Sequence, residues 1–190
     1  MMRLVLRIAG IAFAALLLLA MQHSTPGALD MTGPIPVEGR IGEEITGRQF
    51  TAKVENVTFA RKIHFKRFGR DTERDSGGLF AIVDVTLAAR NSSLAVSSAT
   101  WLSPTQRRFQ ATRRLNGAPG EISSERLEPG LPRTGRYIFE LPDDQVAGGT
   151  LLLSRALGPR LDSELHIAMP ARIDEIHDVL ELGIGRTPNG

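Results

Sequence analysis

The segment 79–89, LFAIVDVTLAA, constrains the fold more than any other part of the chain. Leu79, Ala81, Val83, Val85, Leu87 and Ala89 recur with a period of two, which lines one face of a strand and cannot stay on one side of a helix. Phe80 and Ile82 make the first half apolar on the other face as well, so a central strand is expected. Upstream, Phe50, Ala52 and Val54 alternate with polar residues, and Val57 and Phe59 resume one residue out of phase. Such a slip predicts a bulged strand. Shorter strands are expected over 96–102, 108–113, 122–127, 136–141, 150–154 and 164–169. Turn formers separate them, among them Asn91-Ser92-Ser93, Asn116-Gly117, Pro129-Gly130, Gly148-Gly149 and Gly158-Pro159.

Seven or eight short strands without a long helical pattern predict an all-β fold, an antiparallel β-sandwich over 48–170. Trp101 and Tyr137, the only Trp and Tyr, suit its core. Beyond Pro170, Ile173, Ile176, Val179 and Leu180 fall at helical spacing with Gly183 as a cap, so the 171–190 tail is read as a short closing helix. A last strand over 179–184 is the alternative.

The N-terminus is of a different kind. Arg3 and Arg7 precede an unbroken apolar run over 8–21, which is followed by polar Gln22, His23, Ser24 and Thr25. This is the pattern of an export segment, residues 1–22. The run alone is short for a hydrocarbon core of ~30 Å, although counting from Leu4 with Arg7 snorkelling lengthens it. Cleavage after Ala20 would place Leu18 three residues before the cut, and cleavage after Ala28 would place Pro26 there. Neither suits signal peptidase, so an uncleaved membrane anchor is favoured over a removed signal peptide. The arginines keep the N-terminus in the cytoplasm and put the body outside the membrane. Residues 23–47, with Pro26, Pro34 and Pro36, are read as an extended linker.

Charge and composition narrow the chemistry. With Arg3 and Arg7 set apart, the 23 Lys and Arg fall to 21, against 21 Asp and Glu. The body thus lacks the cationic surplus that a general nucleic-acid binder needs. The absence of Cys removes thiolate catalysis, disulfides and Cys-ligated zinc. His23, His64, His166 and His177 are too dispersed for metal-ligand spacing, no serine sits in G-x-S-x-G, and no Walker loop occurs. Gly183-Ile184-Gly185 lacks a third glycine. Asp71, Glu73 and Asp75 alternate as in a calcium loop, but Ser76 stands where the loop needs Gly and Ile82 where it needs a bidentate acid. Asp143 and Asp144 are read as a cap for the residues that follow. No enzyme, metal or cofactor is expected.

One candidate surface remains. Residues 61–70 bring together Arg61, Lys62, Lys66, Arg67 and Arg70 with His64, Phe65 and Phe68 between them. Such interleaving suits an acidic protein face or acidic lipid headgroups. Arg107, Arg108, Arg113 and Arg114 around Phe109 repeat the pattern on a smaller scale. The tail, with Asp174, Glu175, Asp178 and Glu181, is acidic enough to neutralise the basic segment from within the chain.

The strand at 50–59, the run Gly77-Gly78-Leu79-Phe80-Ala81-Ile82-Val83-Asp84-Val85-Thr86-Leu87 leading to Asn91, the turn Leu127-Glu128-Pro129-Gly130 and Tyr137-Ile138-Phe139-Glu140-Leu141-Pro142 together resemble the bacterial domain-of-unknown-function family numbered 4352. The resemblance covers about residues 40–170. It implies a telokin-like, immunoglobulin-like sandwich that is exported and often lipid-anchored, although this chain lacks the lipobox Cys. It implies no catalytic residue. The expected protein is a membrane-anchored or exported interaction or scaffold domain of the bacterial envelope. It would face the periplasm from the inner membrane and bind a protein partner or acidic lipid through the 61–70 segment. A periplasmic carrier of a small ligand or metal is the alternative.

Overall fold

The computed structural model describes residues 2–24, 32–67, 69–115 and 117–183, and divides the chain into two units, Met1–Gly33 and Pro34–Gly190. The expectations that fall on Phe68, Asn116, Ile184, Gly185 and the 25–31 segment with its Ala28 cleavage site lie outside the described residues. In the first unit, α1 (Met2–Ser24) carries the apolar run, and Ile8, Ile11, Phe13, Leu16, Leu18 and Leu19 are all exposed. Among the described residues no helix is long and apolar enough to cross a membrane. The unbroken run over 8–21 is about 21 Å long at about 1.5 Å per residue.

The second unit is a β-sandwich. Its strands are β1 (Ile35–Arg40), β2 (Glu44–Thr46), β3 (Phe50–Arg67), β4 (Arg70–Ala89), β5 (Ser98–Leu102), β6 (Arg108–Gln110), β7 (Arg133–Leu141), β8 (Thr150–Ser154), β9 (Ser163–Ala168) and β10 (His177–Leu182). One sheet runs β1-β9-β8-β5-β6. The other runs β10-β3-β4-β7, with β2 also on β3. The predicted strands at 79–89 and 150–154 are present, the first extended back to Arg70. Segment 122–127 makes a single isolated bridge, Leu127 with Leu94, in place of a strand.

The phase slip in β3 is a register shift between Val54 and Asn56 against β4, so Glu55 is the extra residue. Without it Val57 and Phe59 would face away from Phe50, Ala52 and Val54. A second shift between Ala60 and Lys62 turns Ile63 and Phe65 to the opposite side. There β4 gives way at Ser76-Gly77-Gly78. A Cβ on Gly78 would lie 2.2 Å from the Leu141 carbonyl oxygen, so only glycine lets β4 approach β7 this closely.

Both faces of the β3-β4-β7 sheet are covered. Between the sheets, Phe50, Val83, Trp101, Phe139, Leu151 and Leu165 belong to the main core. The Trp101 ring meets Phe59 edge-on at 6.4 Å and Phe139 at 5.9 Å. On the outer face, Ala60, Ile63, Phe80, Ile82 and Ile138 form a second core under Leu115, Ala118 and Leu182. The two-sided apolar half of β4 is thus explained, since Leu79 and Ala81 face one core and Phe80 and Ile82 the other.

Three expectations need correction. The linker does not extend to residue 47, because from Ile35 the chain is sandwich: β1 pairs with β9 and β2 with β3. Pro36 is compatible with β1 because β1 is an edge strand and loses no ladder bond there. The tail over 177–182 is a strand rather than a helix, close to the alternative reading. The free edge of β3 supplies backbone partners, and Leu180 and Leu182 alternate onto the second core. A lone short helix would be marginal in water. The sandwich is also not wholly antiparallel, since β1 on β9 and β10 on β3 are parallel pairs. In each pair the two strands are far apart in the chain, so hairpin geometry does not bind them to run antiparallel.

Candidate functional site

The 61–70 segment is the outer part of the β3–β4 hairpin, a ribbon that turns at Gly69 with a positive φ of 77°. The five predicted residues meet different fates along it. Arg61 pairs with Asp143 at 3.7 Å, both well exposed. Asp143 and Asp144 open a short 3-10 turn after Pro142 without a side-chain cap bond, so their predicted capping role is not seen. Lys62 Nζ lies 3.0 Å from Asp75 and 3.6 Å from Glu73 across the ribbon. The Asp75 hydrogen bond chiefly, followed by the charges of Asp75 and Glu73, raises the Lys62 ammonium above its ordinary value. Lys66 and Arg70 make no ion pair among the described residues, and Arg67 lies over Gly117.

The acidic tail partly neutralises this ribbon. Glu181 on β10 sits opposite His64 on β3, 3.7 Å from Nδ1, while Asp71 on β4 is 3.6 Å from Nε2. Because the two carboxylates address opposite ring nitrogens, they do not converge on one metal position. Asp71, Glu73 and Asp75 lie on an extended strand, not on the wrapping loop that a calcium site needs. Beside His64 is a cleft of ≈ 430 Å³ lined by Phe65, Lys66, Pro119, Glu181 and Leu182. In the smaller basic cluster, Arg107 covers the Phe109 ring at 5.9 Å and Arg114 grips Glu140 through two contacts of 2.9 and 3.0 Å.

Two further places were not legible in the sequence. A cleft of ≈ 330 Å³ lies between β5, β6 and β7, lined by Ser98, Gln110, Arg113, Glu121, Tyr137 and Leu157. Tyr137 is 1% exposed, and its hydroxyl donates to the Val96 carbonyl at 2.6 Å. Burial, with the Glu121 charge second, pushes the phenol far above its ordinary value, so it stays protonated and cannot serve as a base. Glu121 accepts the Ser123 backbone N–H at 2.7 Å, and Ser97 donates to the Arg155 carbonyl at 2.7 Å. These hydroxyls and carboxylates are thus spent on backbone groups. The second place is Asp84 beside Arg136 on the outer face, with Oδ1 to Nε 3.3 Å. That nitrogen is buried without a hydrogen bond, so the contact is electrostatic. Burial raises the Asp84 carboxyl, and the Arg136 charge opposes the rise.

A two-sheet sandwich with these loops defines a β-sandwich domain, and comparison with solved structures agrees. The secreted protein MPT63 from Mycobacterium tuberculosis is similar with a TM-score of 0.51 at 16% identity, over 71% of this chain and 98% of that one. An uncharacterised β-sandwich protein from Clostridium difficile 630 has a TM-score of 0.47 at 14% identity, over 72% and 95% of the two chains. The yjhA protein from Bacillus subtilis has a TM-score of 0.49 at 15% identity, over 68% and 99%. No family model matches the chain, and no curated protein matches it in sequence.

Proposed function

We propose that this chain is an exported, non-enzymatic interaction domain of the bacterial cell envelope, held at the extracytoplasmic face of the membrane by its N-terminal helix or released there. The observation that carries this reading is the β3–β4 ribbon. It projects past the sheet pairing with β7, which ends at Leu79, and presents Lys66 and Arg70 at its tip. Arg61 and Lys62 at its base hold Asp143, Asp75 and Glu73, so the tip rather than the whole segment meets an acidic partner protein. The apolar run behind Arg3 and Arg7 supports export, and the motif residues quoted above support kinship with family 4352. The Pro129-Gly130 turn among them forms as expected, with Gly130 at φ 74° and the Leu131 N–H on the Glu128 carbonyl at 3.2 Å.

The test is crosslinking in intact cells, with purification through a C-terminal tag and mass spectrometry of companions and of the bait N-terminus. A recurrent envelope protein is expected, and Lys66→Ser with Arg70→Ser removes it while the domain stays folded. Recovery of the same companion from the double variant refutes the ribbon assignment.

A further inference from the structure

The end of the sandwich opposite the ribbon tip carries a second surface. Ile35, the first residue of β1, donates its N–H to the Asp162 carbonyl at 2.9 Å, so β1 begins at this end. Around that point lie the loops 47–49, 90–97 and 155–162. Three large apolar side chains stand out into solvent: Ile35 at 50%, Leu157 at 66% and Leu161 at 53% exposure. Leu161 has a positive φ of 51°, a backbone that a leucine rarely adopts and that persists only where its surroundings impose it. Here they do: Arg48 Nη1 donates to the Leu161 carbonyl at 2.9 Å, the Arg48 N–H to Ser163 Oγ at 2.8 Å, and Gln49 Nε2 to Asp162 Oδ2 at 2.6 Å.

The charge of the loops at this end is mainly positive, although Glu128 reaches Ser93 from the neighbouring turn. The three loops contain Arg48, Arg90, Arg155 and Arg160 against the single acid Asp162. Three of these guanidinium groups bond to neutral oxygens: Arg48 to the Leu161 carbonyl, Arg90 to the Gly47 carbonyl at 3.0 Å and Arg155 to Gln49 Oε1 at 3.2 Å. Among the described residues none of the four forms an ion pair with a carboxylate, unlike Arg61, Arg114, Arg126 or Arg133. Exposed leucines beside arginines that no carboxylate pairs match an anionic bilayer surface, where side chains of the first kind enter the headgroup layer and those of the second meet the phosphates.

We infer that this end is a membrane-contact surface for anionic lipid, with Leu157 and Leu161 as the inserting residues and Arg48, Arg155 and Arg160 as the headgroup contacts. The inference rests on the reading that the chain is exported to the membrane face. An apolar run too short to span gives weak attachment alone, and stable attachment takes a second signal, which this end supplies.

The chain has no Cys, so a single introduced thiol labels one position. The full chain, synthesised in the presence of phosphatidylglycerol vesicles containing headgroup spin-labelled lipid, is made as Leu157→Cys and separately as Val179→Cys, each carrying a fluorophore. Val179 is a control of similar exposure, 50%, on β10 far from this end. Strong quenching at 157 and little at 179 is expected, and Arg155→Ser with Arg160→Ser weakens the loop's partition about thirtyfold and erases the difference. Chain that floats with the vesicles while 157 is quenched no more than 179 overturns the surface but leaves attachment through the helix intact. Chain that does not float at all overturns both. Trp101 fluorescence checks that each variant is folded.

Discussion

Phe80→Ala tests the least obvious feature of the fold, the second core on the outer face of the β3-β4-β7 sheet. Phe80 is 0% exposed and shares that core with Ile82, Leu115, Ala118 and Ile138. Its removal forfeits the transfer free energy of the ring and leaves a cavity beneath the 3-10 turn Arg113–Leu115, and such substitutions cost about 3–5 kcal/mol. For a domain of this size the midpoint temperature falls about 2–4 °C per kcal/mol, giving a drop of about 6–20 °C. The assay is equilibrium urea unfolding followed by fluorescence of the sole Trp, Trp101, and in parallel by far-UV circular dichroism. Trp101 belongs to the other core, so coincident transitions show that the two cores unfold as one cooperative unit. Leu115→Ala should cost about 2–5 kcal/mol, and the double variant should depart from additivity because both side chains border one cavity. Were the outer face solvated, Phe80→Ala would change stability by no more than about 0.5 kcal/mol, and that result would refute the two-core architecture.

Tyr137→Phe deletes the donor to the buried Val96 carbonyl and should cost about 1–3 kcal/mol in the same unfolding assay, whereas a neutral result would mean that water reaches that carbonyl. Asp84 supplies a pH dependence of definite sign. Burial raises its folded carboxyl above the ordinary 3.8, so the folded chain keeps a proton there that the unfolded chain has lost. Its contribution therefore declines as pH rises from 3.8 through the raised value. Urea midpoints measured across that window should show Asp84→Asn flattening the decline, and an unchanged slope would discard the assignment.

Much of the strand pattern was legible because burial follows local parity. The alternation from Leu79 to Ala89, the slip after Val54 and the burial of Trp101 at 0% exposure and Tyr137 at 1% all express which face of a pleat meets apolar neighbours. The tail was misread because Ile173, Ile176 and Leu180 satisfy helical spacing while Leu180 and Leu182 satisfy strand spacing. A short segment cannot arbitrate between the two; the open edge of β3 does. The linker was misread because proline marks an absence of helix, and an edge strand tolerates it as well as a coil does. The candidate ribbon was visible as a cluster of cations, but not which of them acids would occupy. Asp143 reaches Arg61 from a distant loop, and the partners of Lys62 depend on the register across the hairpin.

By itself, the sequence determined the class of fold, the central strand, the main core and the separate apolar N-terminal run, all of which follow from periodicity or composition within a few consecutive residues. Only the tertiary structure decided the rest. It selected β9 as the parallel partner of β1 and β3 as that of β10, covered the outer face of one sheet, and gathered Arg48, Arg90, Arg155 and Arg160 around Leu157 and Leu161. The physical reason is that backbone hydrogen bonds at a strand edge are alike for every sequence, so neighbours are chosen by packing between residues far apart in the chain. A surface built from several loops comes into being only once that choice is made.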